Sequence, residues 1–315
     1  MSPFRVSGRL VARALVVCVT AVTAAFLTVG FVGVERYGRN YWLYRGFPPP
    51  TDPGYVKQRG LEQRISVTSP ALGGRNQQVY VYLPPGYETS GLRYPVVYFL
   101  HGLPAQATSY RGIDFLRRAL DASGRAALVV APQGARAGDT DPEYLDWGPG
   151  RRWETAIAHE VPAFVDAHFR TIRDRRARAI VGLSAGGYGA VLVALHHLDR
   201  FSVVESWSGY FHATNPQGTR ALDLGSPARN AHASAHTFVS SLHRSFSHRP
   251  TVFAFYVGRG DDRFCDENEL LDRELDQARV PHVFQLYAGR HRQTVWTAHA
   301  RAWLELALDH LLPAK

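Results

Sequence analysis

One pentapeptide constrains the fold of this 315-residue chain more than any other feature. It reads Gly-Leu-Ser-Ala-Gly at residues 182–186, after the apolar run 178–181 and before a glycine- and alanine-rich stretch at 187–192. This succession predicts a strand, a sharp turn and a helix. Flanking glycines let the backbone turn tightly enough to expose the central serine, Ser184, above the edge of a sheet. We therefore expect Ser184 to be a nucleophile.

A nucleophilic serine needs a carboxylate that acts through a histidine, and the sequence offers two adjacent candidates for it. In folds with this kind of turn, the acid follows the serine along the chain and lies after a strand. The apolar run 251–258 predicts such a strand, and Asp261 and Asp262 come shortly after it. Their side chains cannot both face one imidazole. Asp261 is the preferred acid because of its distance from the strand end, and Asp262 is the alternative.

The histidine that would accept the serine proton is predicted from its place after the last strand. The run 283–287 predicts that strand, and His291 follows it on a short loop before a helical stretch at 294–312. The order serine, acid, histidine is the one this type of site requires. Most of the other histidines of the chain, such as the His196–His197 pair, are predicted to be surface or structural residues.

Two backbone N–H groups are expected to stabilise the negative charge that develops on the substrate oxygen. The first belongs to Ala185, which follows the serine at the start of a helix. The second belongs to Leu103, in the loop after the predicted strand 95–100. Pro104 has no N–H and cannot serve. His101, in the same loop, is predicted to hold the loop by a hydrogen bond and not to take part in chemistry.

Most of the chain beyond its N-terminus resembles the esterase D family of α/β-hydrolases, which includes feruloyl esterases, S-formylglutathione hydrolases and mycolyltransferases. The similar stretch runs from about Val79 to Trp303, and its matching segments are residues 79–87, 94–102, 153–155, 182–186 and 289–296. The resemblance implies a serine hydrolase without a cofactor. It also implies a set of roles: nucleophile Ser184, acid Asp261 or Asp262, base His291, and oxyanion donors Leu103 and Ala185.

The alternation of apolar runs and amphipathic stretches predicts an α/β architecture with a mostly parallel central sheet and helices on both faces. Strands are predicted at 77–83, 95–100, 127–132, 179–183, 202–207, 251–258 and 282–287, and helices near 111–122, 153–170, 186–199 and 294–312. These elements fit one catalytic α/β-hydrolase domain at 61–315. The polar segment 211–250 is too short for a large cap domain.

The N-terminus predicts a membrane segment. Residues 14–34 carry no charge, and as a helix they would be about 31 Å long, which matches the hydrocarbon core of a bilayer. We expect an uncleaved signal-anchor within residues 1–39 and a proline-containing tether at 40–60. The catalytic domain is then held outside the cytoplasm by a single-pass helix in the cell membrane. The alternative is a signal that is cleaved, which would give a secreted protein.

Composition narrows the range of partners. The formal net charge is +9, but no basic cluster interleaved with aromatic residues stands out, so no nucleic acid is expected as a ligand. No metal is expected either, because His159-Glu160 lacks a second histidine at zinc-ligand spacing and no Cys/His cluster is evident. The sequence does not predict an oligomeric state.

These features together predict an exported serine carboxylesterase that works through a Ser-Asp-His triad and an acyl-enzyme. Its substrate would be a small-molecule, lipid or carbohydrate ester. One alternative is an acyltransferase, similar to mycolyltransferases, that moves the acyl group to a sugar or lipid hydroxyl. The other is a non-catalytic surface protein that keeps the fold.

Overall fold

The computed structural model describes residues 13, 15–25, 27, 60–103, 114–134, 143–215 and 219–315. The chain divides into two units, Met1–Lys57 and Gln58–Lys315. In the first unit the described residues are helical and exposed, and none of the helices in the described ranges is both long and apolar enough to cross a membrane. Part of the predicted membrane segment 14–34, including residues 28–34, lies outside the described residues, as does all but the last residue of the predicted tether at 40–60.

The second unit is built on one sheet of eight strands within the described residues, in the order β1-β2-β4-β3-β5-β6-β7-β8. The strands β1 and β2, and β2 and β4, pair antiparallel; all the other neighbours are parallel. The mostly parallel sheet predicted from the sequence is thus confirmed. The strands are β1 Leu61–Ser69, β2 Arg75–Leu83, β3 Val96–Leu100, β4 Leu128–Pro132, β5 Arg178–Leu183, β6 Val203–Trp207, β7 Val252–Gly258 and β8 Val283–Tyr287.

Helices connect most of these strands. In chain order they are α1 Tyr87–Ser90, α2 Asp114–Ser123, α3 Trp153–Thr155, α4 Val161–His168, α5 Ala185–His196, α6 Pro227–His232, α7 Val239–His248, α8 Cys265–Gln277 and α9 Gln293–Asp309. A π-helical turn, Ala156–Glu160, joins α3 to α4. Short 3₁₀ turns occur at Pro70–Leu72, Arg175–Ala177 and Ala235–Phe238.

Successive side chains of a strand point to opposite faces of the sheet, and in the central strands both sets are buried. In β3, Tyr98 belongs to the apolar cluster on the face covered by α5, whereas Phe99 belongs to the cluster on the face covered by α2 and α9. A strand buried on both faces reads as a continuous apolar run, which is why β3 to β7 were predictable from the sequence.

Two of the elements that the sequence did not predict, β1 and α8, have weak apolar patterns. The first is β1, an edge strand whose residues are mostly exposed, with only Val67 and Ser69 buried. The second is α8, a polar helix with a narrow buried stripe formed by Asn268, Leu271 and Leu275. Because β3, β5, β6, β7 and β8 run parallel, their carboxyl ends lie at one edge of the sheet, and the loops that follow them can form a common site.

Candidate active site

Ser184 occupies a sharp turn between β5 and α5. Its backbone has φ 55° and ψ −120°, a conformation that a residue with a side chain rarely adopts. The turn is possible because a Cβ at Gly182 would lie 1.8 Å from the carbonyl oxygen of Gly186, and one at Gly186 would lie 1.9 Å from that of Leu100. The backbone N–H of Ser184 donates to the Trp207 carbonyl at 2.9 Å, which ties the turn to β6.

His291 lies between Ser184 and Asp261 and is hydrogen-bonded to both. Its Nε2 is 2.9 Å from Ser184 Oγ, and its Nδ1 is 2.7 Å from Asp261 Oδ2. The Asp261 side chain is 1% exposed and that of His291 is 12% exposed. In the tautomer that fits these contacts, Nδ1–H donates to the carboxylate and the Nε2 lone pair faces the serine hydroxyl. This arrangement can accept the serine proton.

The two adjacent aspartates have different surroundings in the structure. Asp261 faces His291, and its other oxygen, Oδ1, accepts the backbone N–H of Arg263 at 3.3 Å. The Asp262 side chain is 80% exposed and lies 3.8 Å from an Arg290 nitrogen that is itself largely exposed. Of the two candidate acids, the structure therefore brings Asp261 to the histidine and leaves Asp262 in solvent.

Two aromatic rings flank the imidazole of His291. The ring centroid of Phe264 is 5.3 Å away and that of Trp296 is 5.0 Å away, both in edge-on arrangements. The indole N–H of Trp296 donates to Ser208 Oγ at 3.0 Å. Ser208 itself has φ 52° and donates its backbone N–H to the Tyr256 carbonyl. Phe264 and Ser208 were not among the predicted site residues, because neither carries a motif; only their position in the fold brings them to the histidine.

Both predicted oxyanion donors lie beside the serine turn. Ala185 is the first residue of α5, and Leu103 packs against the apolar cluster that contains Ala185. The loop of Leu103 passes close to the nucleophile, since a Cβ added at Gly102 would be 2.9 Å from the Ser184 Cβ. Their role as oxyanion donors belongs to the proposed mechanism.

His101 holds the loop that follows β3. It is 4% exposed, and burial lowers the pKa of its imidazole to about 4, so the ring is neutral at physiological pH. Its Nδ1 lies 3.2 Å from the Gly102 carbonyl oxygen. The Tyr144 hydroxyl donates to the His101 carbonyl at 2.6 Å. These contacts connect the loop with the Leu103 N–H to the segment before α3.

An apolar region adjoins the serine turn on the α5 side. Its members are Leu145, Ala185, Tyr188, Leu192, Tyr210, Ala213, Leu224, Ala233 and Phe264, with Leu103 and Trp147 partly buried against them. A cavity of about 120 Å³ borders this region, but half of its lining is polar, from Asp146, Glu154, Arg229 and His232, and none of the triad residues line it. Leu103 and Trp147, which are only partly buried, offer apolar surface that can contact a substrate.

One buried carboxyl group lies within this apolar region. Glu143 is fully buried, and the Tyr210 hydroxyl donates to both of its oxygens at 2.9 and 3.0 Å. Burial raises the pKa of Glu143 to about 8, although the hydrogen bonds from Tyr210 and from the Thr214 N–H act in the opposite direction. The group is therefore largely protonated at neutral pH and adds little charge to this region.

Two groups of histidines and carboxylates among the described residues are close enough to share a metal ion. One consists of Glu154, His196 and His232; the other consists of His212, His236 and Glu267. Neither includes Ser184, His291 or Asp261. The sequence analysis predicted no metal site and did not identify these groups, because their members come from separate segments of the chain.

Comparison with known proteins assigns the chain to a family. A curated esterase of Mycobacterium tuberculosis is 36% identical over 137 residues, which is 43% of this chain and 30% of the esterase. The diacylglycerol acyltransferase/mycolyltransferase Ag85A of Mycobacterium leprae is 29% identical over 170 residues, or 51% of this chain and 47% of that protein. The chain thus matches less than half the length of either relative.

A solved structure of a ferulic acid esterase superposes with a TM-score of 0.69 at 24% identity, covering 81% of this chain and 99% of that one. This likeness shows a shared α/β-hydrolase-like fold. The model of the family described as "Putative esterase" matches residues 69–313, which include every predicted site residue. The predicted resemblance is confirmed, and the chain belongs to the putative esterase family.

Proposed function

We propose that this protein is a serine carboxylesterase in which Ser184 is the nucleophile, His291 the general base and Asp261 the acid of the triad. The observation that carries the proposal is the pair of hydrogen bonds made by His291, one to the serine hydroxyl and one to a buried carboxylate. Family membership supports ester hydrolysis as the class of reaction.

In the first half of the reaction, Ser184 Oγ attacks the ester carbonyl while His291 Nε2 accepts the hydroxyl proton. Asp261 stabilises the imidazolium that forms, because its carboxylate already accepts the Nδ1–H. The negative charge on the carbonyl oxygen is stabilised by the N–H groups of Ala185 and Leu103. His291 then donates its proton to the leaving alcohol, and an acyl-enzyme remains.

In the second half, water attacks the acyl-enzyme. His291 removes a proton from the water, and collapse of the second tetrahedral intermediate releases the acid and restores Ser184. No step requires a metal or an organic cofactor.

The substrate proposed is an ester with an apolar acyl or aryl portion. The apolar region that contains Ala185 supports this choice, because Leu103 and Trp147 are only partly buried against it and offer apolar surface to a substrate. The same fold is found in a ferulic acid esterase, whose name states an aromatic acid. The alcohol portion, whether a small molecule, a lipid or a carbohydrate, would extend towards solvent.

Transfer of the acyl group to a sugar or lipid hydroxyl is the second candidate. The similarity to a mycolyltransferase over 51% of the chain favours it. Both reactions share the acyl-enzyme, so the triad does not distinguish them. The test is to add glucose or a monoacylglycerol during turnover. An acylated acceptor that increases with its concentration would indicate transfer, and release of free acid alone would indicate hydrolysis.

We also propose that the catalytic unit is exported and remains attached to the cell membrane. The proposal rests on the uncharged sequence 14–34 and the arginines that precede it. Expression in bacterial cells, followed by N-terminal sequencing of the mature protein and by protease treatment of intact spheroplasts, tests it. An uncleaved N-terminus with a protease-accessible catalytic unit supports the anchor. A shortened N-terminus supports secretion, and a protected catalytic unit contradicts export.

The enzymatic proposal is tested by hydrolysis of p-nitrophenyl esters with short and long acyl chains. The wild-type full-length chain, purified in detergent, is compared with Ser184→Ala. We expect turnover by the wild type and none above background by the variant, with matching circular dichroism spectra. Failure of the folded wild type to hydrolyse any of the esters, or to react with an active-site-directed phosphonate, would favour a non-catalytic surface protein.

A further inference from the structure

Among the described residues, two groups of histidines and carboxylates outside the proposed triad are close enough to share a metal ion, and their geometries differ. In the first, the His196 and His232 rings are stacked, with centroids 3.9 Å apart and planes within 8°. A metal ion bound by an imidazole nitrogen lies near the plane of the ring. One ion cannot lie in two stacked, nearly parallel planes. The first group is therefore a hydrogen-bonded network and not a ligand set.

In the second group, three ligand atoms converge. Glu267 Oε1 lies 2.5 Å from His212 Nδ1 and 3.5 Å from His236 Nε2. Ligand atoms around a tetrahedral Zn²⁺ are about 3.4 Å apart, given metal–ligand bonds of about 2.1 Å. The His236–Glu267 separation already has this value, and the His212–Glu267 separation would need to widen by about 0.9 Å. Side-chain rotation of His212, which is partly exposed, can supply this change.

The surroundings of the second group are those of a metal site. His236 uses its other nitrogen, Nδ1, to donate to Glu274 Oε2 at 2.6 Å. A carboxylate behind a ligating histidine fixes its tautomer and makes the facing nitrogen a better ligand. The side chains of His212 and His236 are 37% and 19% exposed, so a water molecule can reach a fourth position.

We propose that His212, His236 and Glu267 form a binding site for a divalent zinc ion, with Glu274 supporting His236. Two imidazoles and one carboxylate favour Zn²⁺ over Mg²⁺ and Ca²⁺, which prefer oxygen ligands. The role of the bound ion would be structural, because the three ligands come from separate segments of the fold. His212 lies in the loop after β6, His236 lies in the Ala235–Phe238 turn, and Glu267 lies in the first turn of α8.

A metal ion here would join segments that support the proposed active site. Glu267 already accepts the Phe211 N–H at 2.8 Å, and its neighbour Asn268 donates to the Gly209 carbonyl at 2.9 Å. Helix α8 begins four residues after Asp261, and its N-cap is Phe264, the ring that packs against His291. Zinc would hold the β6 loop against the start of α8, so its main effect is on stability.

The test is zinc binding by the full-length chain, purified in detergent without a polyhistidine tag. Equilibrium dialysis with elemental analysis gives the stoichiometry, and competition with a chromophoric chelator gives the Kd. We expect one Zn²⁺ per chain, no comparable binding of Mg²⁺ or Ca²⁺, and a Co²⁺ derivative with the visible bands of tetrahedral coordination. At a zinc concentration 100-fold above Kd, we expect the Tm to rise by about 5 °C.

Zinc binding by variants distinguishes this site from the other histidines of the chain. His212→Ala is expected to weaken zinc binding by about 100-fold or more, and Glu274→Gln by about 10-fold or more, since it removes only the supporting carboxylate. His236→Ala provides a second test if His212→Ala does not fold. His232→Ala, in the stacked group, serves as the matched control and should bind zinc like the wild type.

Three results would overturn the proposal. They are the absence of stoichiometric zinc from the folded wild type, equal affinity in wild type, His212→Ala and His236→Ala, and loss of zinc in His232→Ala alone, which would assign the ion to the group of Glu154, His196 and His232. None of these measurements uses ester hydrolysis, so the proposed function and the proposed metal site succeed or fail separately.

Discussion

Among the described regions in which histidine meets a poorly exposed carboxylate, two form an instructive comparison, because only one of them adjoins a nucleophile. In the first region, Asp261 accepts a hydrogen bond from His291, which faces Ser184. In the second region, here called the Glu154 network, one oxygen of Glu154 accepts from both His196 and His197, at 2.8 and 2.9 Å. The two histidine–carboxylate pairs are chemically alike, so such a pair does not by itself identify an active site.

The difference lies in what the second nitrogen of each histidine meets. His291 Nε2 faces a serine hydroxyl that can give up its proton, whereas His196 Nε2 faces the carbonyl oxygen of His232 at 3.1 Å. A carbonyl has no proton to give. The Glu154 network can therefore fix the end of α5, but it cannot activate a nucleophile. Catalysis requires more than a histidine–carboxylate pair. It also needs a nucleophilic hydroxyl, which Ser184 presents on its sharp turn, and N–H groups that stabilise the oxyanion.

The strongest test of this contrast replaces one histidine in each region. We expect His291→Ala to lower kcat for ester hydrolysis by about 10⁵–10⁶-fold, because the serine then has no base. His196→Gln, in the Glu154 network, should keep kcat within about threefold and lower the Tm, since it disturbs a buried hydrogen bond. A comparable loss of kcat in the two variants, with both folded, would contradict the assignment.

The second test compares the adjacent aspartates. Asp261→Asn should lower kcat by about 10⁴-fold, because an amide favours the wrong tautomer of His291. Asp262→Asn should stay within about twofold of the wild type, since that side chain is 80% exposed. The measurement is kcat for the same p-nitrophenyl ester. A larger loss in the Asp262 variant would reverse the choice of acid.

The third test removes one backbone donor next to the serine. Leu103→Pro lacks the N–H and is expected to lower kcat by about 10²–10³-fold, with a smaller effect on KM. Leu103→Ala keeps the N–H and should mainly change KM, because it alters only the apolar surface. If both variants lose kcat equally, the side chain and not the N–H of Leu103 is what matters.

The smallest effect is expected in the Glu154 network and concerns stability. Burial raises the pKa of Glu154, but hydrogen bonds from His196 and His197 outweigh it and lower the pKa from 4.5 to about 2. The ionised carboxylate therefore stabilises the fold above pH 4.5, and this contribution is lost as the pH falls from about 4.5 towards 2. Glu154→Gln should lower the free energy of unfolding at pH 7 by about 1–3 kcal/mol.

The same variant should also have a flatter dependence of stability on pH between about 4.5 and 2, measured by urea unfolding at several pH values. An unchanged slope in Glu154→Gln would show that other carboxylates account for acid unfolding. Ester hydrolysis at pH 7 serves as the control, because Glu154 lies outside the proposed triad.

Much of the framework could be predicted from the sequence because the physical constraints are local. Strands buried on both faces leave continuous apolar runs, and the Ser184 turn needs glycine at 182 and 186 whatever surrounds it. The order of Ser184, Asp261 and His291 follows from strands whose carboxyl ends share one edge. These features can be recognised in the sequence without knowledge of tertiary contacts.

Other features depend on tertiary contacts and left a weak signal or none. The edge strand β1 exposes most of its side chains, so its pattern resembles a polar linker. Which aspartate faces His291 is decided by the turn after β7, where the Asp261 N–H donates to the Gly258 carbonyl. The group of His212, His236 and Glu267 comes from three separate segments, and no spacing along the chain predicts it.

Covalent labelling with a fluorophosphonate is the most direct test of the central claim that His291 activates Ser184. The full-length wild type, Ser184→Ala, His291→Ala and His196→Gln are each treated with the reagent, and the modified peptide is identified by mass spectrometry. The account predicts rapid labelling of Ser184 in the wild type and in His196→Gln, and none at that position in Ser184→Ala or His291→Ala. Labelling of Ser184 that is equally fast in His291→Ala, or no labelling of the folded wild type, would contradict it.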